Sequence, residues 1–321
     1  MDKKNNKQKI PIFMVSTGRT GSTFLADALN DHHKVLIVLD LIEPLGPNHY
    51  FDRNKVYSGK EFFDLMSRPS IKPRLRYWKV RPTKERLFYP SDENLVSLLL
   101  CYTIPFLTKN PMGLFYELKK EVSEFPDATM ADHTLNFFDL LRRRFSKDIW
   151  VEKTGGSLPQ IDKIVDTWPD AKYIYSYRDG REVAISMQKH PIFRMYCQLL
   201  KKPDLDEWDF DYLPPIQDFG KMWQDWTLKA DKALSKTPDG MKLDLPYEEL
   251  EKNAEEVLIS LLKYILDNDS ASQKDIKWAR KWAKMVKMAP IRFTQLSSYE
   301  QEKLEKACTK GLKILKYPVN F

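Results

Sequence analysis

The sequence predicts an α/β fold in which a parallel β-sheet is flanked by helices on both faces and carries helical insertions. Three observations predict it. Short apolar runs alternate with helical periodicity along most of the 321 residues, as in successive βαβ units. An apolar run, Ile12-Phe13-Met14-Val15, opens into small residues and closes on a helix start at Phe24-Leu25. A second run, Tyr173-Ile174-Tyr175-Ser176-Tyr177, leads in the same way through Arg178-Asp179-Gly180 into a helix. In a parallel sheet such loops fall at the carboxyl ends of strands, where ligands bind.

Taken in order, residues 1–9 are polar and charged and read as a flexible N-terminus without an apolar signal region. A strand is expected over 11–16, a helix over 20–30 and a strand over 35–39. A long, mainly helical stretch follows, residues 50–148, with helices near 92–104, 112–124 and 132–146. Then come strand 149–152, helix 157–167, strand 172–177, helix 180–189, a long helix near 216–235 and strand 241–245. Helices near 253–266, 275–287 and 299–310 complete the chain. With no linker rich in Gly, Ser or Pro and no repeat, residues 10–321 read as a single domain, with 50–148 a mainly helical insertion.

The first loop, Ser16-Thr17-Gly18-Arg19-Thr20-Gly21-Ser22-Thr23, has the chemistry of an anion cradle. Gly18 and Gly21 allow positive φ and close backbone approach. The N–H groups lie at the positive end of a helix. Thr20, Ser22 and Thr23 add donors, and Arg19 adds a permanent charge whose planar fork suits phosphate or sulfate. The nucleotide-binding pattern GxxxxGK(S/T) is not met, because Ser22 stands where its lysine would be. In the second loop Arg178 lies at a strand end and Ser186 about two helical turns further on, so both can reach one anion. Taken alone, that pattern equally describes a structural ion pair.

Together the two loops resemble the sulfotransferases that use 3′-phosphoadenosine 5′-phosphosulfate. The resemblance places Gly18, Arg19, Thr20, Gly21, Ser22 and Thr23 at the 5′-phosphosulfate and Arg178 and Ser186 at the 3′-phosphate. It places Phe24 under the adenine, Tyr247, in Tyr247-Glu248-Glu249-Leu250, near the adenosine, and Arg292, in Ile291-Arg292-Phe293, toward the 3′-phosphate. Lys153, in Glu152-Lys153-Thr154, then lies near the transferring sulfo group. No segment between 50 and 148 takes part in the resemblance.

Sulfuryl transfer asks a protein to position reactants and offset charge, which Arg19 and Lys153 would do together with the Thr20 and Ser22 N–H groups. Arginine keeps its proton at neutral pH, so the role of Arg19 is electrostatic. The branch of the family with His in a Lys-Thr-His segment supplies its base there, whereas this chain reads Lys153-Thr154-Gly155-Gly156. Other branches use a carboxylate after the second strand. Glu43, in an Ile-Glu-Pro-Leu setting, is the preferred base, and Asp40, nearer by ungapped counting, is the alternative. Either could instead be a loop residue or a partner of Arg19.

The composition fits without deciding. Net charge is +7, which suits nucleic acid, an anionic surface or an anionic small ligand. The lysines are dispersed, so an anionic co-substrate is expected and nucleic acid is not. Arg142-Arg143-Arg144 reads as a solvated helix face. The basic and aromatic run from Lys72 to Tyr89 could line an acceptor pocket or lie exposed. The longest apolar stretch, Leu95 to Leu107, is too short to span a bilayer. Three scattered cysteines, Cys101, Cys197 and Cys308, suggest neither disulfides nor a zinc site and fit a reduced cytoplasmic protein. His32, His33, His49, His133 and His190 show no metal-ligand spacing with an acidic partner, and the family chemistry needs no metal. Trp208, Trp223, Trp226, Trp278 and Trp282 read as core. Three function classes follow: a sulfotransferase, a nucleotide kinase with a degenerate loop, and a non-catalytic nucleotide-binding protein. For the first, the acceptor is a small molecule, carbohydrate or lipid carrying a hydroxyl or amine.

Overall fold

The computed structural model describes residues 10–42, 51, 53–68, 88, 90, 92, 95–201 and 212–319. A five-stranded parallel sheet, flanked by helices, has the order β2-β5-β1-β6-β7. Its strands are β1 (Ile12–Ser16), β2 (Val35–Leu39), β5 (Ile149–Thr154), β6 (Lys172–Tyr177) and β7 (Lys242–Pro246). All five residues of β1 are buried, which is why that strand reads as an unbroken apolar run instead of an alternation. Two compact units divide the chain, one comprising residues 1–14 and 23–173, the other residues 15–22 and 174–321.

In the first unit β2 pairs in parallel with β5, with Val38 opposite Glu152 and Leu39 opposite Lys153. Phe13 is fully buried among Trp150, Trp168 and Tyr173, at ring-centre distances of 6.1, 4.9 and 6.0 Å. Helix α1 (Ser22–Asp31) follows β1. A two-stranded antiparallel ribbon, β3 (Val56–Tyr57) with β4 (Ala128–Thr129), accompanies helix α2 (Gly59–Met66), whose Ser58 and Glu61 form a reciprocal cap. Buried His133 bonds the Tyr57 carbonyl at 2.8 Å and stacks on Phe62, so it serves the core. Residues 99–103 form a π-helical turn before the short helix α3 (Ile104–Leu107), then come α4 (Pro111–Ser123), α5 (Met130–Arg144) and α6 (Ile161–Thr167).

The arginine triplet corrects one expectation. Arg142 is 3% exposed and bonds Asp139 at 2.7 Å, so only Arg143 and Arg144 face outward, the latter bonding Glu117 and Glu121. A helix face that reads as uniformly basic conceals a buried pair, because an acid three residues earlier lies on the same side.

The second unit contains α7 (Gly180–Gln188), α8 (Pro191–Lys201), α9 (Ile216–Leu234), α10 (Tyr247–Lys252), α11 (Ala254–Leu266), α12 (Gln273–Ala283) and α13 (Ser298–Ile314). Fully buried Trp223 on α9 is accommodated by two glycines. A Cβ on Gly180 would come within 2.3 Å of its ring, and one on Gly311 within 2.6 Å. Arg181 bonds Asp179 and, at 2.7 Å, Glu305, which ties the start of α7 to α13. Trp226 and Trp278 are buried as expected, whereas Trp282 is only half-buried and Trp208 lies outside the described residues.

Candidate active site

In the second unit the chain leaves β1 through three left-handed residues, Gly18 (φ 77°), Arg19 (φ 62°) and Gly21 (φ 77°). For Arg19 this conformation costs about 1–2 kcal/mol, a strain typical of functional loops. Ser16 Oγ accepts the Gly18 N–H at 3.1 Å, which steadies the turn. Thr20 is fully buried and its Oγ1 accepts from Ser176 of β6 at 3.0 Å. Its hydroxyl oxygen is thereby tied to the strand that leads into the second loop.

The Arg19 side chain reaches the second loop, where its Nε donates to Ser186 Oγ at 3.0 Å. Ser186 lies on α7, whose first turn is capped by Asp179 accepting the Arg181 N–H at 2.9 Å. Arg178, just before that cap, is 8% exposed, and its guanidinium carbon sits 4.3 Å from the centre of the Tyr247 ring. The same ring packs against the first loop, since a Cβ on Gly21 would fall 2.8 Å from two of its carbons. Five of the expected residues, Arg19, Gly21, Arg178, Ser186 and Tyr247, thus gather in one unit. The site couples two cations to a positive helix terminus and a backbone without side chains at its closest approach, a donor set that fits a phosphate or sulfate group.

Sequence reading missed two carboxylates here. Glu182, one turn after Arg178, takes the N–H groups of Arg292 and Phe293 on Oε1, both at 2.8 Å, and its Oε2 lies 4.0 Å from Arg178. It fixes the backbone of Arg292 against the second loop. Glu248 accepts the Asp179 N–H at 3.0 Å and the Tyr317 hydroxyl at 2.7 Å, which holds the segment following Tyr247 to the start of α7. The one available signal was the spacing of Glu182 from Arg178, which is that of an ion pair on a helix.

The first unit holds Thr23, Phe24, Asp40 and Lys153. Thr23 is exposed and Phe24 half-buried in the first turn of α1. Asp40, directly after β2, is also left-handed (φ 51°). Its N–H donates to the Lys153 carbonyl at 2.8 Å, and its Oδ1 accepts the Gly155 N–H at 2.8 Å and lies 3.6 Å from Lys153 Nζ. Lys153 is 3% exposed, so Asp40 is the counter-ion that makes its burial tolerable. A Cβ on Gly155 would stand 3.3 Å from Lys153 Nζ, so the place where a related branch carries histidine is already crowded by this pair. Glu43 and the basic run 72–87 lie outside the described residues.

Residues 11–266 match the sulfotransferase family, and the chain belongs to that family. No curated protein matches it in sequence. Among solved structures it is similar to the sulfotransferase domain from the curacin biosynthetic pathway, at 14% identity and a TM-score of 0.50 over 97% of this chain and 99% of the other. It is similar also to the sulfotransferase STF9 from Mycobacterium avium, at 14% identity and a TM-score of 0.51, covering 96% and 77%. At such identity the likeness establishes the fold. Among the described residues, no helix is long and apolar enough to cross a membrane.

Proposed function

We propose that this protein transfers a sulfuryl group from 3′-phosphoadenosine 5′-phosphosulfate to a hydroxyl or amine of a small molecule, carbohydrate or lipid, releasing adenosine 3′,5′-bisphosphate. The observation that carries the reading is the 3.0 Å bond between Arg19 and Ser186, which joins the two anion loops in one unit. A kinase reading lacks such support, because it needs a lysine where Ser22 stands.

In this reading Gly18, Thr20, Gly21, Ser22 and Thr23 hold the 5′ group through N–H and hydroxyl donors, while Arg178, Ser186 and Arg292 take the 3′-phosphate. Phe24 and Tyr247 supply aromatic faces for the nucleoside. The donor supplies an activated sulfuryl group. Arg19 and Lys153 offset charge on the group in transit and on the leaving phosphate. The acceptor proton goes to a carboxylate, and Glu43 has that role, because Asp40 is engaged by the Gly155 N–H and Lys153. Asp40 instead keeps the lysine in place. The chemistry calls for no metal. A cytoplasmic setting belongs to the same reading and is supported by three buried cysteines, none of them in a disulfide.

Incubation with radiolabelled donor and a metabolite extract tests this directly. Label should appear in a new small molecule together with adenosine 3′,5′-bisphosphate. Absence of both above a protein-free control would refute the proposal.

A further inference from the structure

Residues 274–292 carry seven lysines or arginines and a single acid, Asp275, an excess that accounts for nearly all of the chain's net charge of +7. Asp275 is buried in a reciprocal cap with Ser272 at the start of α12, so no carboxylate of this run reaches the surface. Lys277, Arg280, Lys281 and Lys284 recur at helical spacing on α12 and line one concavity together with Gln273 and Ile276. Arg280 pairs with Glu255 of α11 at 2.9 Å, and Lys281 lies 5.5 Å from the centre of the Trp282 ring. Among the described residues, Lys277, Lys284 and Lys287 have no ion pair.

The segment that continues α12 holds apolar side chains in water. Met285, Met288 and Ile291 are 50, 80 and 67% exposed. Their backbone is nevertheless fastened down: the Ala289 N–H donates to Glu251 of α10 at 2.5 Å, and the Arg292 and Phe293 N–H groups donate to Glu182. Exposure of these side chains costs free energy that an apolar medium would recover.

We propose that the basic stripe of α12 and the apolar segment after it dock on a bilayer rich in anionic lipid, with Lys277, Lys284 and Lys287 among the headgroups and Met288 and Ile291 at the acyl boundary. Two properties select this partner. The positive run is complementary to an anionic headgroup layer, where each nearby lysine or arginine strengthens binding. The ends of Met288 and Ile291 suit acyl chains, which a ladder of nucleic-acid phosphates does not offer. Such binding is interfacial and needs no spanning helix. It goes beyond the proposed reaction and does not depend on it.

The test mixes the full-length protein with sucrose-loaded vesicles of phosphatidylcholine, alone or with roughly a third of it replaced by phosphatidylglycerol, and measures the sedimented fraction. The parent should sediment with the anionic vesicles and not with the neutral ones, and less of it should sediment as salt rises from about 0.1 to 0.5 M. The triple variant Lys277→Gln, Lys284→Gln, Lys287→Gln should bind the anionic vesicles at least about tenfold more weakly. Met288→Ser with Ile291→Ser leaves the charge unchanged and should also bind about tenfold more weakly. All five side chains are exposed, so melting temperatures should match the parent's and the loss is not one of folding.

A parent that stays in solution with anionic vesicles, parent-like sedimentation of either variant, or a preference for a short DNA duplex over the vesicles at equal anionic charge would overturn the inference. No donor nucleotide is present in this assay, so its outcome and that of the sulfotransferase reading stand or fall separately.

Discussion

Replacing Gly21 with alanine probes the junction of the two loops through a single methyl group. Gly21 holds φ at 77°, a conformation that costs an L-residue about 1–2 kcal/mol. Its new Cβ would also lie 2.8 Å from two carbons of the Tyr247 ring, closer than carbon atoms pack, so the ring must move. Tyr247 is only half-buried and can yield, but in doing so it leaves the Arg178 guanidinium, now 4.3 Å from its centre. Loss of that cation–π contact removes roughly 0.5–1 kcal/mol and frees the arginine from its orientation. The expected result is a stability loss of about 1.5–3 kcal/mol together with roughly tenfold weaker binding of adenosine 3′,5′-bisphosphate. Thermal unfolding and calorimetry measure the two quantities separately. Adding Tyr247→Ala should relieve the collision but not the backbone strain, so the double variant should be less destabilised than the sum of the singles. If Gly21→Ala binds nucleotide like the parent, or if the two substitutions are strictly additive, the reasoning about this junction is wrong.

Three further outcomes are expected. Arg178→Ala should weaken adenosine 3′,5′-bisphosphate by about 1.5–3 kcal/mol, the worth of a charge-assisted contact, while affinity for adenosine 5′-phosphosulfate, which lacks the 3′-phosphate, changes little in calorimetric titration. Glu43→Gln should lower label transfer by about 10²–10⁴-fold and spare nucleotide binding; an unaffected Glu43→Gln beside an inactive Asp40→Asn would move the base to Asp40. Burial raises the Glu152 carboxyl on β5, which binds a proton in the folded state that the unfolded chain has released, so its contribution is complete below the unfolded value, about 4.3, and is lost as pH rises toward about 8. Melting temperature should therefore fall more steeply with pH in the parent than in Glu152→Gln across that window, and parallel curves would show that the carboxyl ionises normally.

The parts of the fold that were legible in the sequence are those in which local signals and tertiary outcome agree. β1 and β6 are apolar or aromatic runs ending in glycine-bearing loops, and both strand-loop-helix units stand close to the expected places. Helix α8, which Pro191 opens, is not among the expected elements: it begins only three residues after α7 ends, too short a break to show as a separate helix. The helix expected near 92–104 is described as a π-helical turn at 99–103 leading into α3, with Pro105 unable to donate an N–H to a regular ladder. In the site, glycines and arginines announced themselves by type and spacing. Glu152, Glu182 and Glu248 did not, since a carboxylate in a strand or helix reads as a solvated residue until the chain that returns to cover it is known. Asp40 was noticed as a possible base, yet its partner Lys153 lies 113 positions away across the β2–β5 pairing, beyond the reach of any local pattern.

Calorimetric titration of the unmodified protein with adenosine 3′,5′-bisphosphate, in the absence of magnesium and with ATP as the comparison, tests the central claim most directly. The account predicts metal-independent binding of the bisphosphate and much weaker binding of ATP, because Arg178 and Ser186 answer a 3′-phosphate that ATP lacks. Equal affinity for the two, or tight ATP binding that appears only with magnesium, would contradict it.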